Sequence, residues 1–139
     1  FDQAEEQLGK ESLGGAIFRA EIDKTHPVAF GYQDSTIPIY KNNTIWLQPS
    51  ENPYSTICKY TPNPHIDGYI SAKNLQEFMK QSASCVVSQV GQGRTILFAD
   101  NPLFRGSWYS TDRLFTNAVF FGSLIRVPSR GGFGEDDDD

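Results

Sequence analysis

Two glycines one residue apart, Gly91 and Gly93, stand between the apolar run 83–90 and the run 94–99, and no other feature restricts the fold of this chain as strongly. Glycine accepts the positive φ that side chains resist, so 91–93 reads as a tight turn and the two runs as antiparallel strands. A phosphate-binding loop is a poor reading of Gly91-Gln92-Gly93-Arg94, because a helix should follow such a loop directly and here a strand does. Beyond the second strand, Asp100, Asn101 and Arg105 surround Pro102, Leu103 and Phe104. A helix is then expected from a Thr111 cap, with Leu114, Phe115, Ala118, Val119, Phe121 and Ile125 on a broad apolar face that must be covered on most sides.

The rest of the chain is organised around that unit. Residues 16–22 alternate, with Phe18, Ala20 and Ile22 on one face and Arg19 and Glu21 on the other, as in a half-buried strand. His26-Pro27 opens a short helical turn that Gly31 stops. Residues 37–40 and 44–47 flank Lys41-Asn42-Asn43 and read as a β-hairpin with an asparagine turn, packed by Trp46. Residues 56–60 form a further strand, ended by the proline-rich turn 61–64. Ser71 caps a helix over 72–81 whose Leu75, Phe78 and Met79 fall at helical spacing.

With 139 residues the chain supports one domain, and folding at this length buries roughly two-thirds of the surface the unfolded form exposes. Hydrophobic residues at 38% and aromatics at 13% mark a globular composition. No apolar run approaches the roughly 20 residues of a membrane-spanning helix. Residues 135–139 supply five of the 17 acidic side chains, and the remaining 12 balance 12 basic ones. The body is thus near neutral, which removes the electrostatic case for nucleic-acid binding. Residues 1–14 read as a linker or frayed end, 15–127 as the globular domain, and 128–139 as a solvated acidic tail. A start at Phe1 with no leader-like stretch reads as a processed product or an excised piece.

Candidate chemistry is sparse. Cys58 and Cys85 both lie in strand-like segments without metal-ligand spacing. They could be bridged if their strands are neighbours, or buried as free thiols. His26 and His65 sit in proline-flanked turns, outside any zinc-binding arrangement. Charged, amide and aromatic groups concentrate beyond a strand end at Asp100, Asn101, Arg105 and Trp108. These four are the candidate polar contact site. The competing structural reading has them satisfy loop backbone groups, with Arg105 paired to Asp100. No catalytic, metal-binding or cofactor-binding residue is assigned.

Several segments together resemble the carboxyl-terminal region of large bacterial zinc carboxypeptidases. They are Gly15-Ala16-Ile17-Phe18-Arg19, residues 23–32 (DKTHPVAFGY), Gly68-Tyr69-Ile70, Gly91-Gln92-Gly93-Arg94, residues 97–106 (LFADNPLFRG) and Asn117-Ala118. The resemblance spans about residues 14–125. Ser110 stands where glycine is common in the family's loop after Trp-Tyr. In that family a metallopeptidase (hydrolase) domain is followed by a region similar to a glutamine-amidotransferase-like, flavodoxin-like domain. The peptidase domain's zinc-binding histidines and glutamates have no matching positions here.

The resemblance therefore implies a secreted or periplasmic, non-catalytic accessory domain. Its partner is the peptidase domain of the parent protein, self-association is possible, and zinc is expected only in that domain. The expected fold is α/β or α+β: a mixed β-sheet of about five to seven strands with two main helices, part of an amidotransferase-like domain. Two other readings are a vestigial domain binding a small polar ligand, and an oligomerisation module built on an unpaired sheet edge. Neither a nucleic acid nor a membrane is expected as a partner.

Overall fold

The computed structural model describes residues 13–126. Five strands, β1 (Leu13–Ile22), β2 (Thr36–Lys41), β3 (Thr56–Ile70), β4 (Ala83–Val90) and β5 (Gly93–Phe98), form one sheet in the order β2-β1-β3-β4-β5. The long helix, α1 (Tyr109–Phe121), follows the last strand. The class is α+β. Where a mixed sheet was expected, every ladder among the described residues is antiparallel. Parallel neighbours need a long crossover, usually a helix. Here α1 follows all five strands instead of joining two of them.

The alternation expected over 16–22 is present, with Phe18, Ala20 and Ile22 buried and Arg19 and Glu21 exposed. β1 begins at Leu13, so the last two residues of the segment read as a linker, Leu13 and Gly14, belong to the strand; residues 1–12 and the tail 128–139 lie outside the described residues. The hairpin around Gly91 forms as the sequence implies: Val90 pairs with Gly93, Gln89 with Arg94 and Val86 with Leu97. Gly91 takes the positive φ of 59° that this turn demands.

Three expectations give way to packing. Residues 61–64 do not end the third strand, because β3 continues to Ile70. Ala20 pairs with Tyr60 and Phe18 with His65, so β3 carries extra residues opposite Arg19. This bulge accommodates Pro62 and Pro64, which have no N–H to give a ladder. Beyond it the strands meet so closely that a Cβ at Gly68, where φ is +87°, would lie 2.6 Å from the Gly15 carbonyl oxygen.

The hairpin expected from 37–40 and 44–47 is likewise absent. β2 pairs with β1, and of 44–47 only Leu47 forms a bridge, to Ala83. Lys41 is fully buried and draws 43–45 around its ammonium, which replaces the turn. Trp46 stacks instead on Phe78, 6.0 Å between centroids at 15°.

The third correction concerns α1. It starts two residues before Thr111, whose hydroxyl donates to the Pro102 carbonyl at 2.8 Å. Leu114 and, beyond the helix, Ile125 enter the core. Val119 and Phe120, however, are 65% and 73% exposed, so the helix is covered on one side only. The segment 72–81 is helical with Ser71 as its cap, its Oγ accepting from Asn74 N at 3.2 Å. Its pitch is mixed, a π turn over Asn74–Phe78 followed by a 3-10 turn over Met79–Gln81, and that brings Met79 into full burial.

Candidate functional site

The chain concentrates its buried polarity where β5 ends. Ala99 N donates to Ser84 O at 2.8 Å, and Ala99 O accepts from Asn43 Nδ2 at 2.9 Å. The backbone is thereby clamped on both sides, and Asp100 turns inward. Its Oδ1 accepts from Lys41 Nζ at 2.9 Å, while its Oδ2 accepts from the hydroxyls of Tyr60 and Ser84, each at 2.5 Å.

The Lys41 ammonium spends its remaining protons on Ile45 O at 2.7 Å and Asn43 Oδ1 at 3.1 Å, and it sits 4.8 Å above the Trp46 ring. Four segments of the sheet thus converge on one ion pair whose side chains are 0% and 4% exposed. Burial pushes the Lys41 amine down from its usual value, and the charge and hydrogen bond of Asp100 work against that shift. Burial, reinforced by the Asp100 carboxylate, holds the Tyr60 phenol well above its usual value. The pair is both desolvated and saturated with partners, the condition under which buried charge is tolerated.

The candidate polar residues do not converge. Asp100 is buried, whereas Asn101 is exposed and its Oδ1 accepts from Leu103 N at 3.0 Å in an Asx turn. Arg105 does not pair with Asp100, as Lys41 already occupies that carboxylate. Its guanidinium lies 5.2 Å from the Phe104 ring centroid, on a residue with a φ of 53°. The Trp108 indole donates to Pro38 O at 3.3 Å, an oxygen that also accepts from Ser110 Oγ. Phe104 stacks on Tyr40 at 3.9 Å between centroids. The loop 101–108 and the first turn of α1 are therefore fastened along β2.

Lys41, Tyr60 and Ser84 were not singled out from the sequence. The available signal was the lysine at the end of the strand-forming run Ile37-Pro38-Ile39-Tyr40: a cation there either leaves the sheet or finds a buried anion.

α1 is fixed to the turn that His26 opens. Asn117 Nδ2 donates to the carbonyls of Val28 and Phe30, both at 2.8 Å, and Arg113 donates to Gly31 O at 2.6 Å. The Tyr32 hydroxyl donates to Ser110 O at 2.7 Å, and burial raises its pKa to about 12. His26 caps the 3-10 turn Pro27–Ala29, its Nδ1 accepting from Val28 N at 3.2 Å. His65 Nε2 bonds with Gly68 O at 2.8 Å. Among the described residues, no three His, Cys, Asp or Glu side chains come together as a metal site.

Outside this junction lies an open recess of about 400 Å³ between Phe30, Arg113, Thr116, Phe120 and Phe121. Phe30 meets Phe121 edge to face at 5.7 Å and remains 66% exposed. Phe120 lines the same recess, and Val119 and Leu124, 65% and 64% exposed, are further uncovered apolar side chains of this end of the chain. No helix among the described residues is long and apolar enough to cross a membrane. No protein-family model, curated protein or solved structure matches this chain.

Proposed function

We propose that this chain is a non-catalytic accessory domain of a secreted or periplasmic zinc carboxypeptidase, and that the surface around Phe30, Phe120 and Phe121 docks on the peptidase domain of the parent protein. The apolar face of α1 carries this reading. Single exposed apolar residues are ordinary, but three rings gathered around a shallow recess, as Phe30, Phe120 and Phe121 are, are characteristic of contact surfaces. The ionisable groups that could have done chemistry at the end of β5 are engaged with one another, so their role in this reading is to hold the sheet together. The finer relation, that the sheet is part of a flavodoxin-like, amidotransferase-like domain, belongs to the same proposal. Doubly wound folds are built on parallel strands, so that relation requires them to come from sequence outside residues 13–126.

The test mixes the chain with the zinc peptidase domain encoded by the same gene and follows the pair by size-exclusion chromatography with light scattering. A complex is expected with the wild-type chain. It should be lost with Phe120→Asp, a change that leaves thermal stability within about 0.5 kcal/mol because the ring is mostly exposed. Absence of the wild-type complex, or carboxypeptidase activity from the isolated chain with added zinc, would overturn the reading.

A further inference from the structure

β3 and β4 are neighbours, and their ladder sets Cys58 directly opposite Cys85. Both thiols are free and fully buried. Directly opposed residues of an antiparallel pair point to the same face, with Cα atoms about 4.5 or 5.5 Å apart depending on the hydrogen-bonding pattern. Both separations fall within the window of roughly 4.4–6.8 Å that a disulfide bridges. The Cβ atoms of such a pair start somewhat wider than the mean of about 3.8 Å, so a small approach of the strands is needed. The ladder supplies the slack, because its register is irregular on both sides of this pair, between Thr56 and Cys58 and again between Cys58 and Lys59.

We propose that Cys58 and Cys85 are a covalent cross-linking site, closing into a cross-strand disulfide when the chain folds in the presence of a small-molecule disulfide such as oxidised glutathione. One cysteine thiolate displaces a small thiolate from the oxidant and forms a mixed disulfide. The second cysteine thiolate attacks the protein sulfur of that intermediate and releases the second small thiol. The new Sγ–Sγ bond costs the protein two hydrogens, and the oxidant is reduced to two thiols.

Timing follows from the surroundings. In the folded chain, burial and the nearby Asp100 charge push both thiols up, so neither presents a thiolate to an external reagent. The bond therefore forms while the strands assemble or when they open. Joining residues 58 and 85 removes freedom from the unfolded chain, which lowers the unfolding equilibrium constant on the order of a few hundred-fold.

The full chain is unfolded with reductant, refolded by dilution into mixed oxidised and reduced glutathione, alkylated in denaturant so that any unbridged thiol reacts, and read by intact mass and non-reducing peptide mapping. The expected product has lost two hydrogens, carries no alkyl group, yields one peptide pair joining 58 to 85, and unfolds at higher denaturant. Cys85→Ser should show none of these changes. A natively folded wild-type chain with two alkylated thiols, or with glutathione attached and no cross-link, refutes the proposal. If the chain precipitates on dilution, the native protein is held in the same buffer just below its urea midpoint, where the strands open transiently. Two alkylatable thiols after that treatment refute it equally.

Discussion

Removing the ammonium of Lys41 is the sharpest test of how this sheet is held together. Lys41→Met keeps most of the buried stem but strips Asp100 of its cation and Ile45 O of its donor, and leaves Asn43 Oδ1 with only the Ile45 N–H. At 2.9 Å and an effective dielectric near 20, the direct attraction is about 6 kcal/mol. Desolvation of both ions consumes most of that in the intact pair. In the single variant, however, the carboxylate stays buried with only the Tyr60 and Ser84 hydroxyls, and removing one partner of such a pair costs about 3–5 kcal/mol.

Asp100→Asn strands the ammonium in the same way. The double variant leaves no net charge in the site and should be about 2–3 kcal/mol more stable than the sum of the single losses. Urea unfolding followed by fluorescence gives all four values, and Trp46 beside the ammonium is a local reporter. A loss below about 1 kcal/mol for Lys41→Met at unchanged m-value, or strict additivity in the double variant, would show that the pair is not the desolvated lock its geometry describes.

Two further perturbations test other parts of the fold. Burial depresses His26 below its usual 6.5, with the Asp23 charge opposing. The unfolded chain therefore takes up the proton first, so stability should fall as pH drops from 6.5 toward the folded-state value and level off below it. His26→Asn, which can still cap the turn, should flatten that slope in a thermal-shift series; an unchanged slope would clear His26 of the effect. Gly68→Ala places a methyl against the Gly15 backbone at a positive φ and should cost at least 1–2 kcal/mol by denaturant unfolding. A smaller loss would mean that β1 and β3 can separate there at little cost.

Much of the fold was legible in local pattern, because those elements depend on residues close in sequence. Period-two alternation specified β1, and two glycines fixed the β4–β5 hairpin and its register. Ser71 and the spacing of Leu75 and Met79 placed the short helical segment. The errors share a different origin. Pro62 and Pro64 end a strand in isolation but can be absorbed as a bulge when β1 supplies a long partner. Asn42 and Asn43 favour a hairpin turn locally, yet a buried lysine beside them needs acceptors more than the chain needs a turn.

The candidate site shows the same division. By itself, the sequence determined that polar groups gather after β5 and that α1 is rich in apolar residues. Only the tertiary structure decided which way those groups face. Asp100 turns in because it meets the buried ammonium of Lys41, 59 positions away, which leaves Arg105 to lie over Phe104. Val119 and Phe120 stay uncovered because the turn over 27–29, β2 and the core take up the other side of α1. Apolar character is a property of each residue, but burial depends on how many neighbours the fold can bring. Charge pairing, too, is settled by proximity in space, which residues far apart in sequence reach only once the sheet has formed.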